Sequence, residues 1–242
     1  TSRFLKCGDQ ISVTEIEEDS VIWEEKIDIL YEDPHLAIVY KPPGIAVSGN
    51  YYKTLRNALP YNLTLSSEPG RLPRPEPVHR LDRRTQGLVV VARTMKARHL
   101  LGEIFEQRKI EKEYQALCVG VVEDGESRDP INGLTAHSSW KCQAIAESHF
   151  TEFVSHLKIQ IYTGRQHQIR KHLHAKGSSV LGDDLYFHHP PLRSKGLFLF
   201  ATRLAFEHPI SKEAIEIDLG IPPKIEKRLA YEAKILEKIA ER

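Results

Sequence analysis

The segment Val78-His79-Arg80-Leu81-Asp82-Arg83-Arg84-Thr85-Gln86-Gly87-Leu88 sets one carboxylate among three arginines. Nearby guanidinium groups favour the ionised carboxylate, so Asp82 is available at neutral pH as a nucleophile or a base. Gly87 lets the backbone adopt a conformation that other residues resist. The plain alternative is that Asp82 caps a turn and pairs with an arginine, since structural ion pairs are common. A glycosidase reading of Asp82 needs a second carboxylate about 5 to 10 Å away, and the basic flanks suit a polyanion better than a neutral sugar. The chain has 12 histidines, and His167, His172 and His174 invite a metal reading. Their separations scatter them around a helix instead of aligning them on one face, so no metal site is expected. Cys7, Cys118 and Cys142 are odd in number and far apart, which suits neither a disulfide framework nor a metal knuckle. There is no GxxxxGK[ST] phosphate loop and no HExxH pair. Neither a nucleotide cofactor nor a metal is expected.

The elements that must hold Asp82 are legible on both sides of it. Leu88-Val89-Val90-Val91-Ala92 is a continuous apolar run of strand length, expected to be buried on both faces. Ile29-Leu30-Tyr31 and Leu36-Ala37-Ile38-Val39-Tyr40 flank Glu32-Asp33-Pro34-His35 as a hairpin, closed by Lys41-Pro42-Pro43-Gly44. The tract from Pro60 to Pro77 carries six prolines and glycines, which predicts a surface loop and excludes a helix. From Met95 to Arg108, Leu100, Leu101, Ile104 and Phe105 recur at helical spacing. Tyr114 to Val119 reads as a strand ended by Gly120. Phe150 to Tyr162 reads as one or two strands, with Phe153, Leu157, Ile159 and Ile161 on one parity. Gln166 to Lys176 reads as a helix stopped by Gly177, and Lys224 to Arg242 as a last helix after Pro222-Pro223. Strands mostly in hairpins with a few helices predict an α+β fold.

With 242 residues the chain can bury a sizeable core. Its longest purely apolar stretch, Leu88 to Ala92, is far short of the roughly 20 residues that cross a bilayer, and no signal pattern opens the chain, so a soluble, cytoplasmic protein is expected. Net charge is only +1, but its distribution is uneven. Residues 15 to 33 are strongly acidic, whereas no Asp or Glu lies between Glu152 and Asp183, where Lys158, Arg165, Arg170, Lys171 and Lys176 fall. Arg71 to Arg84 is basic as well. If the two basic segments meet, they form a groove for a phosphate backbone.

His79-Arg80-Leu81-Asp82 followed by Thr85 and Gly87-Leu88 resembles the central motif of the RluA-type RNA pseudouridine synthases. Ile38-Val39-Tyr40-Lys41-Pro42-Pro43-Gly44 is similar to that family's opening strand and Lys-Pro-x-Gly turn. Ile110-Glu111-Lys112-Glu113-Tyr114 resembles its Lys-x-Tyr strand start. Thr163-Gly164-Arg165-Gln166-His167-Gln168-Ile169-Arg170-Lys171-His172-Leu173 is similar to its third motif, with Gly182-Asp183 and Tyr186 following. The resemblance spans residues 28 to 220. It implies a mostly antiparallel central sheet flanked by helices, with the cleft across it, and isomerisation of uridine in ribosomal or transfer RNA. It implies Asp82 as catalytic carboxylate and Arg165 as its ion-pair partner. Tyr114 is implied to stack on the flipped base, and to act as a base only if its pKa is lowered. Arg80 is implied to fill the gap left by a flipped base. His79, Arg83 and Thr85 fall at the substrate-binding turn, and Lys41, Gln168 and Arg170 are expected to position phosphates or the loop.

Gln86 stands where that family usually has serine. Phe4 to Val13 resembles only the last strand of an S4 RNA-binding domain. Residues 1–25 are therefore expected to form an N-terminal extension and residues 26–242 the catalytic domain, and Thr1 in place of Met suggests a missing upstream piece. RNA is the expected partner, without membrane or cofactor, for a monomer. The competing reading is an RNA-binding protein that kept the scaffold and lost the chemistry.

Overall fold

A computed structural model describes residues 21–187 and 196–241. The strand resembling an S4 remnant lies outside the described residues. The elements are β1 (Asp28–Glu32), β2 (Leu36–Lys41), α1 (Leu55–Asn62), β3 (Arg71–Pro77), β4 (Gln86–Thr94), α2 (Met95–Glu106), β5 (Ile110–Val119), β6 (Gly125–Ser127), β7 (Ser138–Ser148), β8 (Glu152–Ile161), α3 (Gln168–Ala175), β9 (Leu199–Glu207), β10 (Ala214–Asp218) and α4 (Pro223–Ala240). The fold is α+β, as expected. One 10-stranded sheet runs β1-β2-β4-β9-β5-β8-β7-β6, with β10 on β9 and β3 on β4.

Every strand pair is antiparallel except β4 with β9, which meet in parallel at only Gln86↔Phe200 and Gly87↔Ala201. That short contact is a seam between two half-sheets. Along one edge β4 pairs with β2 over its length, while its other edge is divided: β9 takes the Gln86–Gly87 end and β3 the Val91–Thr94 end. Gly87 is what allows the seam. Its φ is +125°, and a Cβ there would lie 2.1 Å from the Ala201 carbonyl oxygen, so a side chain is excluded both by conformation and by space.

All nine residues of β4 are buried, and alternation sends them to opposite cores. Val89 and Val91 pack with Ala37, Val39, Leu55 and Leu59 on the α1 and α3 side. Leu88, Val90 and Ala92 pack with Ala97 and Leu101 of α2 on the other, where Ile225 of α4 joins Leu117, Phe198 and Phe200. In β5 the register against β9 shifts between Glu113 and Tyr114. Ile110 and Tyr114 would share a face in an unbulged strand. Here Ile110 packs under α2 and Tyr114 belongs to the opposite core.

The proline-rich tract is a correction. Pro60 sits inside α1, which Thr54 caps by accepting from Asn57 N at 3.2 Å and which ends two residues after the proline. Pro73, Pro75 and Pro77 lie in β3, whose register against β4 is interrupted between Arg71 and Glu76. A strand with so few ladder bonds tolerates residues that cannot donate one. Phe153 departs from its expected parity: it is exposed, while Val154 to Leu157 are all buried. Among the described residues no helix is long and apolar enough to cross a membrane.

Candidate active site

Asp82 hangs in the turn between β3 and β4, immediately before the seam. Leu81 is buried in the same core as Val89 and Ile169, and Thr85 N donates to the Asp82 carbonyl at 3.1 Å. The turn is clasped from outside by the loop after β2. Gly44 N donates to Arg83 O at 2.8 Å, and Arg83 Nε returns a bond to Gly44 O at 2.7 Å. Lys41 is fully buried, and its Nζ donates to the carbonyls of Pro42, Ile45 and Arg83 at 2.8, 3.0 and 3.2 Å. Burial pushes its pKa down to about 8 against the pull of Asp82.

His79 secures the other side of the turn. Its Nε2 accepts from Val90 N at 2.9 Å, while Val90 O accepts from Val78 N at 3.0 Å, so the imidazole extends the β3–β4 ladder by one bond. The ring stacks on Phe105 at 4.6 Å. Burial, with Lys112 nearby, drives its pKa down to about 3, and the accepting role is that of a neutral ring.

The carboxylate is half-buried and lines a cavity of about 310 Å³ together with Arg80, Thr85, Tyr114, Arg165 and His167. The two basic segments thus meet around Asp82. Thr85 is 2% exposed, and its Oγ1 has no hydrogen-bond partner among the described residues. A buried, unsatisfied hydroxyl at a cavity wall is a site for a ligand's polar group. Tyr114 is buried beside it. Burial first, and Asp82 second, push its phenol well above the ordinary tyrosine value. That is the opposite of the shift a phenolate base would need.

The expected ion pair between Asp82 and Arg165 is not made. Arg165 Nε donates instead to Thr135 O at 3.0 Å, and the basic group within ion-pair range of Asp82 is His167 Nε2 at 3.8 Å. His167 opens α3 in the left-handed region, φ 56°, and its Nδ1 lies 3.0 Å from Tyr186 Oη. Burial lowers its pKa against the attraction of Asp82, so the ring is neutral at pH 7. Neither the left-handed backbone of His167 nor its bridge between Tyr186 and Asp82 has a local sequence signal; only the third motif pointed to this stretch.

Of the two roles expected for Lys41, Gln168 and Arg170, phosphate contact or loop positioning, their burial fits only the second; they are 0%, 4% and 2% exposed. Gln168 Oε1 accepts from Thr163 Oγ1 (2.7 Å) and Arg165 N (3.0 Å), and its Nε2 donates to His137 O (2.9 Å) and Ser138 Oγ (2.8 Å). All its capacity is spent on splinting the Gly164-Arg165 loop. Arg170 forms two parallel 2.6 Å bonds to Asp183 and lies over the Tyr186 ring. Asp183 Oδ1 also accepts from Leu185 N and Tyr186 N, so this ion pair fixes the loop that brings Tyr186 to His167.

A carboxylate beside a buried phenol and a cation-rich rim thus sits at the seam of a mixed open sheet. The chain belongs to the RNA pseudouridylate synthase family, whose model matches residues 35–175, and that family's enzymes are isomerases. It is 33% identical over 220 residues to ribosomal large subunit pseudouridine synthase D of Zymomonas mobilis, covering 81% of this chain and 69% of that protein. It is 32% identical over 240 residues to an uncharacterised RNA pseudouridine synthase of Bacillus subtilis, covering 90% and 77%. The solved structure of human RNA pseudouridylate synthase domain containing 4 matches with a TM-score of 0.66 at 21% identity, over 82% of this chain and 90% of that one. At that identity the likeness speaks to the fold.

Proposed function

We propose that the protein converts uridine to pseudouridine within an RNA strand, with Asp82 as the catalytic carboxylate. The observation that carries this is the half-buried Asp82 carboxylate in a cavity shared with Tyr114, Thr85 and Arg165. In the isomerisation the N1–C1′ bond breaks, the base turns, and a C5–C1′ bond forms; the C5 proton leaves and N1 gains a proton, so atoms balance without a redox step. Asp82 takes up the electron-deficient carbon of the ribose or of the ring. Tyr114, kept protonated, supplies a flat surface and a donor, and Thr85 Oγ1 supplies a polar contact. Arg80, exposed on the turn, is free to take the place of the flipped base, because a planar guanidinium stacks like one. Relatives whose names specify the large ribosomal subunit make ribosomal RNA the first substrate to test, with transfer RNA second.

The test is tritium release from C5-labelled uridine in unmodified transcripts of large-subunit ribosomal RNA and of transfer RNA. Wild type should release tritium without free uracil. Asp82→Asn should lose activity by at least roughly 10⁴-fold while keeping its fold and its RNA affinity. Undiminished tritium release in Asp82→Asn would refute Asp82 as the catalytic carboxylate, whereas RNA binding by wild type without tritium release would favour an RNA-binding module on the same scaffold.

A further inference from the structure

Behind Tyr114 and Arg80, on the side away from Thr85, lies a second cavity of about 490 Å³. It shares Arg80, Tyr114 and Arg165 with the first as a common wall. Its lining adds Arg108, which turns the chain after α2 at φ 58°, and Lys112 of β5, neither of which lines the Asp82 cavity. Neither Arg108, Lys112, Arg80 nor Arg165 has a carboxylate partner among the described residues, and the one acid on this rim is Glu106. Several arginines elsewhere are matched. Arg203 is held by Glu111 and Glu216, Arg98 by Glu76 and Arg170 by Asp183. Lys112 is half-buried with only the Phe105 ring facing its ammonium, at 5.9 Å. Burial, then Arg108, lower its pKa. Leaving a desolvated cation unpaired is costly, and an anionic ligand removes that cost. On the far wall Tyr162 is 39% exposed, with one ring face covered by His137 at 4.2 Å.

We infer that this second cavity is the subsite for the RNA strand adjoining the target nucleotide, with successive backbone phosphates at Arg108 and at Lys112 and a neighbouring base stacked on Tyr162. The inference rests on the synthase reading above. It divides the work across the wall: the nucleotide that reacts enters the Asp82 cavity, and the strand that carries it lies over β5. Phosphate neutralisation and aromatic stacking are together the usual means of holding single-stranded RNA.

The test uses the whole protein, a fluorescein-labelled single-stranded RNA, and the ribosomal transcript for turnover. Arg108→Asn retains a residue that accepts the left-handed backbone, and is combined with Lys112→Gln. This double variant should raise the half-saturating RNA concentration by about tenfold or more, with a smaller effect on the rate at saturation. It should also make the slope of log affinity against log salt shallower by about 1.4, the value for two single-strand phosphate contacts. Tyr162→Leu should weaken binding by about five- to a hundredfold. Arg108→Asn with Lys112→Arg, which keeps the second charge, should recover about half of the lost slope. Inorganic phosphate serves as competitor: displacement of the labelled RNA only at concentrations that act equally on the double variant fits a strand site. An unchanged salt slope in the double variant, or no recovery with Lys112→Arg, overturns the subsite. Absence of tritium release from wild type with any RNA overturns the synthase reading and leaves the binding slopes to be judged separately.

Discussion

Gly87→Ala probes the seam that suspends Asp82. The added methyl would sit 2.1 Å from Ala201 O and 2.7 Å from Ala201 N, against an ordinary van der Waals approach of about 3.5 Å. β4 and β9 must therefore separate by about 1 Å at their shared contact, disturbing the pairing of Gln86 with Phe200 and of Gly87 with Ala201. Two lost ladder bonds at about 1 kcal/mol each, a strained φ at about 1–3 kcal/mol and overpacking at about 1–3 kcal/mol combine to about 4–8 kcal/mol. Two controls separate the contributions. Gly133→Ala, at φ +75° with open space around it, should cost only the left-handed penalty of about 1–2 kcal/mol. Gly102→Ala, in the exposed surface of α2 with nothing within 4 Å, should stabilise by up to about 1 kcal/mol. Urea unfolding of the three variants measures the order. Because Asp82 lies five residues before the seam, turnover in Gly87→Ala should fall even where the protein remains folded. A Gly87→Ala cost no larger than that of Gly133→Ala would refute the close approach of the two half-sheets.

The Arg170–Asp183 pair is buried on both sides, so Asp183→Asn, which leaves Arg170 uncompensated, should cost about 3–5 kcal/mol and loosen the loop that brings Tyr186 to His167. Arg170 and two backbone amides hold the Asp183 carboxyl below its ordinary 3.8, although burial opposes them. Its contribution to stability is complete above that value and is lost as pH falls through the depressed one; acid unfolding should therefore lose this limb in Asp183→Asn. Tyr114 has the opposite sign. Its phenol is raised above 10.0, so the stability it contributes is complete below that pH and is lost as pH rises further. Alkaline unfolding should ease in Tyr114→Phe. The pH–rate profile should show no limb between about pH 8 and 10 that Tyr114→Phe removes; such a limb would mean a phenolate is at work.

What could be read beforehand follows the strength of local periodicity. β4 is a continuous apolar run buried along its whole length, and α2 repeats apolar residues at helical spacing against one core, so both were evident. β3 was hidden because prolines at three of its seven positions signal a loop unless the partner strand is known. β9 completes the seam through two residues, Phe200 and Ala201, more than a hundred positions after Gly87, and no local pattern encodes such a contact. The same holds inside the site. Asp82, Tyr114 and Arg165 do line one cavity, but the hydrogen bond of Arg165 to Thr135 and the approach of His167 to Asp82 depend on which way each side chain turns. Motif resemblance named the residues, and packing decided their partners. Lys41 and Gln168 show this most clearly: of the two roles expected of them, phosphate contact or loop positioning, their packing fits the second.

The net charge of +1 illustrates why charge must be read by pairing and not by count. Across the described residues many cations are answered by a neighbour: Arg93 by Glu32, Arg203 by Glu111 and Glu216, Lys158 by Glu113, and Arg170 by Asp183. Pairs of this kind contribute almost nothing to the field at a distance. Arg80, Arg108, Lys112 and Arg165, which border the two cavities, have no such neighbour among the described residues. A near-neutral protein thus presents a local positive mouth, and low-dielectric walls such as Tyr114 and Ile161 sharpen that field. The consequence for RNA is directional. On the proposed function, attraction acts at the wall between the cavities, so a strand drawn in by its phosphates would arrive with a nucleotide beside Asp82.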